Sequence, residues 1–136
     1  MQVVVTRTLQ GLAWLVVAGI VVEFYLAGAA LFGATTFQPH RSLGLALAAA
    51  MLLLLALALV ARPGRRTVGL ASVLVVLAIV QVLLPSLRTA LPWVAALHAI
   101  NAAALAMVTV GIARAEGRGV AAGRSTEALV PASSGT

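Results

Sequence analysis

The sequence predicts an all-α protein, a bundle of four transmembrane helices built as a tandem repeat of two helical hairpins. Its 136 residues are 62% hydrophobic and only 9% charged, with a mean hydropathy of +1.13, which no domain with a water-facing surface could reach. Four apolar runs are long enough to cross a hydrocarbon core about 30 Å thick, which takes about 20 helical residues. Polar residues also recur at a fixed offset between the two halves of the chain.

The four predicted helices are 8–32, 37–61, 67–84 and 92–113. After the first, Thr36 is a suitable N-cap for the second helix, whose first turn tolerates Pro39. A Pro-Gly turn at 62–66 ends the second helix, and two prolines bracket the loop before the fourth. The helices form one transmembrane domain, residues 1–115, and the Gly- and Ser-containing segment 116–136 is expected to be a disordered cytoplasmic tail.

The arginines predict the orientation of the bundle. Seven of them flank the helix ends on one side of the membrane, against only Arg41 and Arg88 on the other, which puts both termini in the cytoplasm. The chain has no Cys, which excludes disulfides and thiolate chemistry, and its lack of Lys and Asp suggests a bacterial gene. We expect a multi-pass protein of the bacterial cytoplasmic (inner) membrane. Its net charge of +6 lies at helix ends and fits lipid headgroups, so we expect no nucleic-acid partner.

An offset of 58 residues relates the two halves of the chain. Glu23 precedes His40 by seventeen residues, and Gln81 precedes His98 by the same number. Two hairpins repeated in the same orientation are related by an axis along the membrane normal. We therefore expect the two histidines at equal depth, facing each other across that axis.

The functional hypothesis rests on five polar residues predicted in the outer half of the bilayer: Glu23, His40, Gln81, His98 and Asn101. Polar groups inside a membrane are costly and usually functional. Two neutral imidazoles about 4 Å apart on either side of one iron are the axial ligands of a b-type haem. We expect His40 and His98 to ligate haem b, with Arg41 and Arg88 as candidates for contacts with its propionates.

Other interpretations of these residues stay open. Glu23 could be a neutral acid that joins helices, a proton donor or acceptor beside a redox centre, or a quinone contact. Gln81 and Asn101 are of a type that more often makes hydrogen bonds between helices. A His/His/Glu metal site is a further alternative, although structural zinc prefers a fourth ligand. No residue is assigned a catalytic role.

Three functions are therefore considered. The first is a haem protein for electron transfer, haem handling or redox sensing, which requires a quinone or another membrane redox partner because one haem does not span the bilayer. The second is a non-enzymatic accessory or assembly bundle with a structural polar cluster. The third is a small proton-linked transporter, for which polar residues would also be expected in the cytoplasmic half.

Four short motifs carry a resemblance: Glu23-Phe24-Tyr25-Leu26-Ala27-Gly28, Phe32-Gly33, His40-Arg41-Ser42-Leu43-Gly44 and Pro92-Trp93-Val94-Ala95-Ala96-Leu97-His98-Ala99-Ile100-Asn101-Ala102. With them the chain resembles, over residues 5–115, a family of small four-helix bacterial integral membrane proteins of unknown function. That resemblance implies the fold and no activity. In architecture the chain is also similar to one four-helix half of haem A synthase, which implies haem ligation by His40 and His98. Glu23 departs from that enzyme, whose acidic residue adjoins the histidine of the second helix.

Overall fold

The computed structural model describes the backbone of residues 2–128 and the side chains of residues 4–115. The described chain forms α1 (Gln2–Leu31), α2 (Gln38–Ala61), α3 (Arg65–Leu83), a 3-10 turn (Leu84–Leu87), α4 (Pro92–Ala95) and α5 (Leu97–Ala128), and contains no strand. Four segments have the length and hydropathy to cross a membrane: Val4–Leu31, Gln38–Ala61, Arg65–Leu87 and Pro92–Ala115. The predicted all-α fold with four membrane-length helices is confirmed, and the molecule is a membrane protein.

The end of α1 is a hydrogen-bonded cap built around a glycine. Gly33 has a φ of 76°, the left-handed conformation that glycine adopts without steric cost. Its amide donates to the Ala30 carbonyl, and the next amide, of Ala34, donates to the Ala29 carbonyl. This pair of bonds is a Schellman motif, which satisfies carbonyls that the last turn of a helix otherwise leaves without donors. At the start of α2 the N-cap residue is Phe37, which makes no side-chain cap bond, and not the predicted Thr36. Thr36 precedes it, and its hydroxyl accepts a 3.3 Å bond from the Gln38 amide.

The four long helices are arranged in a ring. α1 packs against α2 and α5, and α3 packs against the same two helices. Across the diagonals, α1 with α3 and α2 with α5, the described backbones do not touch. The chain therefore runs round the ring in order, and the side chains of α2 and α5 can meet only in its centre.

The apolar core fills one end of the ring. Its buried residues are Leu9, Ala13, Val16 and Ile20 on α1, Met51, Leu54 and Ala58 on α2, Ala71, Leu74 and Ala78 on α3, and Leu105, Ile112 and Ala113 on α5. They follow the three- and four-residue spacing of helix faces that point inward. The core stops at Ile20, Ala78 and Leu105, and within one turn of these residues the polar side chains begin.

The fourth membrane helix continues beyond its predicted end. We predicted a helix to residue 113 and a disordered tail over 116–136, whereas the backbone of α5 is helical as far as Ala128. Residues 114–128 contain Ala, Arg and Glu, which have high helix propensity, together with three glycines that weaken a helix, and no proline that would end one. Residues 129–136 lie outside the described residues.

Candidate functional site

Glu23 and His40 pair across the first hairpin. Nδ1 of His40 contacts Oε2 of Glu23, and the two side chains are only 22% and 12% exposed, respectively. Glu23 lies one turn beyond the end of the apolar core on α1, and His40 lies in the first turn of α2. The second carboxylate oxygen of Glu23, Oε1, is buried and has no hydrogen-bond partner among the described residues. Nδ1 of His40 is also without a regular hydrogen bond among the described residues, so the pair is a close contact of two buried polar groups rather than a hydrogen bond of normal geometry.

Gly44 lies beside this carboxylate, one turn after His40 on α2. A Cβ atom at Gly44 would lie 3.8 Å from Oε1 of Glu23, which is an ordinary van der Waals distance. The backbone of α2 therefore lines one side of the carboxylate, and the acid is enclosed between two helices.

His98 pairs with Gln81 across the second hairpin through two bonds. Nδ1 of His98 donates to the backbone carbonyl of Gln81 at 3.0 Å, and the Gln81 amide nitrogen lies 3.2 Å from Nε2 of His98. In a regular helix the Gln81 carbonyl would accept from the amide four residues later, but that residue is Pro85, which has no N–H. The proline leaves this carbonyl without a helical donor, and the His98 ring supplies one.

Asn101 completes the contacts between α3 and α5. Its amide nitrogen donates to the side-chain oxygen of Gln81 at 2.7 Å and to the Leu77 carbonyl at 2.9 Å. The Gln81 amide is consequently fixed at both ends, by Asn101 through its oxygen and by His98 through its nitrogen. Such interhelical bonds contribute about 0.6 kcal/mol each on average in membrane proteins, and at most about 1.7.

The two hairpins meet through their histidines. The ring centroids of His40 and His98 are 6.1 Å apart with an interplanar angle of 73°, across the diagonal between α2 and α5. Phe37 packs edge-on against the His40 ring, with centroids 6.3 Å apart. The structure therefore brings all five predicted polar residues into one cluster, in which each histidine is paired within its own hairpin. Superposition of the hairpins by a two-fold axis stays a prediction.

Arg41 and Arg88 lie at the same end of the bundle as the cluster. Both side chains are exposed, and neither forms an ion pair within the described part of the chain. The described residues also contain no group of three His, Cys, Asp or Glu side chains that could hold a metal ion. The alternative of a His/His/Glu metal site is therefore not formed.

Pro85 and the Leu77 carbonyl are parts of the cluster that sequence reasoning missed. The signal for Pro85 was present, because a proline four residues after a polar residue frees that residue's carbonyl. No signal in the sequence selected the Leu77 carbonyl, since every residue offers the same backbone acceptor.

One protein family matches the chain. Its model covers residues 23–90, half of the sequence, and is described as a family of unknown function, DUF6220. The matched region begins at Glu23 and includes His40 and Gln81 but ends before His98. The chain has no significant match among curated proteins or solved structures, and the likeness to haem A synthase is not shown.

Proposed function

The chain belongs to the DUF6220 family of unknown function, and we propose that it binds a b-type haem between His40 and His98. One observation carries the proposal: each histidine has its Nδ1 against an oxygen atom, and the two rings lie edge to face with their centroids 6.1 Å apart. The haem would lie in one half of the membrane and serve electron transfer, haem handling or redox sensing.

The partners of Nδ1 decide which nitrogen of each histidine is available to a metal. A carboxylate or carbonyl oxygen against Nδ1 favours the neutral tautomer with its proton there, which leaves the lone pair on Nε2. Ligating histidines in metalloproteins are held in this way, because the outer oxygen fixes the tautomer and the ring orientation. For His40 the oxygen belongs to Glu23, and for His98 it is the backbone carbonyl of Gln81.

The separation of the rings fits one iron between them. Iron–nitrogen distances of about 2 Å put two axial nitrogens about 4 Å apart and the ring centres about 6 Å apart. The observed centroid distance is 6.1 Å. Little movement of the histidines along the line between them is therefore required.

Two features of the bundle bear on whether a macrocycle can enter. The apolar core ends at Ile20 and Ala78, and beyond it the described residues of α1 and α3 and of the 3-10 turn contribute one further buried apolar side chain, Leu84. The amide nitrogen of Gln81 lies 3.2 Å from Nε2 of His98. The Gln81 side chain would have to rotate away before the Nε2 lone pair of His98 could bind iron. Haem binding thus requires the helices to separate only at the end where packing is weakest.

The surroundings suggest how the haem would be oriented and used. Arg41 and Arg88 are exposed at this end and would pair with propionates directed out of the membrane. A bilayer core is about 30 Å thick, so a single haem in one half passes electrons only to a quinone or another redox protein in the membrane. We place both termini in the cytoplasm of a bacterial cell, by the distribution of arginines.

The test is an optical spectrum of the full chain purified from haem-replete cells. We expect a low-spin haem spectrum that is lost in His40→Ala and in His98→Ala, because either change removes an axial ligand. Asn101→Ala is the matched control, since it removes hydrogen bonds from the same cluster but no ligand, and it should keep the spectrum. A colourless wild-type preparation that also fails to take up added haem would overturn the proposal.

A second function is favoured by the closed set of bonds among His98, Gln81 and Asn101. With these bonds no buried side-chain nitrogen or oxygen of the three residues lacks a partner, as expected if the cluster only joins α3 to α5 in an accessory or assembly subunit. In that case the histidine variants should each lose about 1 kcal/mol of stability, additively and without any spectral change. A transporter is not proposed, because the cluster ends at an apolar core.

A further inference from the structure

We propose that the seam between α2 and α3 is a binding site for one anionic phospholipid, with its phosphate at the turn between the helices. The turn bounds a groove of about 500 Å³ lined by Arg62, Gly64, Arg65, Val68 and Gly69. A second groove of about 210 Å³ lies between the same two helices further along the seam. Neither groove belongs to the histidine cluster, and the proposal goes beyond haem binding.

The first groove has the chemistry of a phosphate site. Arg62 and Arg65 line it from the end of α2 and the start of α3, both exposed and without an ion pair in the described part of the chain. α3 begins at Arg65, and the amides of the first turn of a helix point out of its N-terminus, here toward the turn between α2 and α3. No cap side chain bonds to them. Two guanidinium groups next to uncapped helix amides favour a phosphate, which accepts several charge-assisted hydrogen bonds.

The groove is apolar on its membrane side. Val68 continues from Arg65 into the bilayer, and Val75, Ile79 and Val82 follow it at helical spacing on the same face of α3. The second groove is lined by three of these residues and, from α2, by Leu52. An apolar strip therefore leads from the arginines along the seam, interrupted between the two grooves by Ser72, whose hydroxyl is turned back onto the Val68 carbonyl.

The dimensions of the strip match one lipid leaflet. Ten residues of helix separate Arg65 from Val75, about 15 Å at 1.5 Å per residue, which is half of a bilayer core about 30 Å thick. If the phosphate of the lipid lies at the turn, the far end of its acyl chain would reach the second groove. A soluble phosphate or a nucleic acid would use the arginines but leave this strip unexplained.

The first experiment measures lipid binding to the full chain in detergent by native mass spectrometry. We expect palmitoyl-oleoyl phosphatidylglycerol to bind at a stoichiometry of one, in preference to the matching phosphatidylcholine. Arg62→Gln/Arg65→Gln should weaken that binding about 30-fold, from the usual contribution of two basic residues near an anionic surface. Arg7→Gln/Arg114→Gln is the control, because it removes the same charge from exposed positions outside the groove and should weaken binding less than about fivefold.

The second experiment separates the lipid from a small anion. Val75→Phe fills the second groove without touching an arginine, so it should weaken long-chain phosphatidylglycerol but not the dihexanoyl form. Inorganic phosphate at millimolar concentration should not displace the long-chain lipid. The proposal fails if both double variants weaken binding equally, if phosphatidylcholine binds as well, if Val75→Phe has no effect, or if inorganic phosphate displaces the lipid.

Discussion

Replacing Glu23 with leucine should weaken haem binding much more than replacing it with glutamine. Oε2 of Glu23 contacts Nδ1 of His40, and the carboxylate is enclosed between α1 and α2 with only 12% of the side chain exposed. Leucine has a similar volume but offers no acceptor, so the His40 ring loses the group that fixes its tautomer. Glutamine keeps a carbonyl oxygen at the same reach and preserves the orientation of the ring.

The expected loss of haem affinity can be estimated from the effect of removing a residue that orients a metal ligand. Removing a group that orients a metal ligand typically costs 10- to 100-fold in affinity, which is about 1.4–2.7 kcal/mol of binding free energy. We expect a loss in this range for Glu23→Leu and less than tenfold for Glu23→Gln. In Glu23→Gln the midpoint potential should rise, because a negative charge near the ferric haem is removed.

Titration of haem into the purified apoprotein, followed by its Soret band, measures these affinities. Thermal unfolding of the same apoproteins is the control for general damage, and both variants should lose no more than about 1.7 kcal/mol, the upper value for one polar contact between membrane helices. Equal haem affinity in the two variants, or wild-type affinity in Glu23→Leu, would refute the assigned role of the carboxylate.

Three further predictions concern topology and packing. Reporter fusions after Arg66 and after Arg88 should give opposite locations, and identical locations would contradict the arginine-based orientation. Gly19→Ala should be less favourable than Gly28→Ala in detergent unfolding, because its Cβ would lie 2.5 Å from Cδ2 of Leu47 and that side-chain end would have to move aside, whereas Gly28 has nothing within 4 Å; equal effects would be inconsistent with the packing of α1 on α2. Asn101→Ala should cost about 1–2 kcal/mol in the same assay through two lost hydrogen bonds, and an unchanged midpoint would mean that these bonds do not hold α3 to α5.

The membrane-spanning helices could be predicted from the sequence because their signal is strong and local. Runs of apolar residues of the required length are interrupted only by Gly, Pro and Arg segments, and α2 begins and ends within one residue of its predicted range of 37–61. The pairing of Glu23 with His40 and of Gln81 with His98 was also accessible, since equal spacing across two similar hairpins puts both pairs at similar depth.

Other features, among them helix ends and helix rotation, are not determined by amino-acid composition. α5 continues to Ala128 through a segment that has three glycines but no proline to end an already nucleated helix, although the composition of 116–136 predicted disorder. Arg62 caps the end of α2 in the left-handed conformation, with φ 48° and ψ 51°. Glycine most often adopts this conformation at the end of a helix, and from the sequence alone Gly64, two residues later, is the better candidate. Which amide faces which carbonyl in the Gln81 and Asn101 contacts depends on helix rotation, and this is set by core packing along the whole ring.

The two histidines of the pair are chemically unequal because of Pro85. Nδ1 of His40 faces a carboxylate, whereas Nδ1 of His98 donates to a neutral carbonyl that is free only because Pro85 has no amide hydrogen. An imidazole backed by a carboxylate is the stronger electron donor. An iron held between them would therefore be bound more strongly by His40 on α2 than by His98 on α5. The weak bond, to His98, would be the first to open when a small molecule competes for the metal.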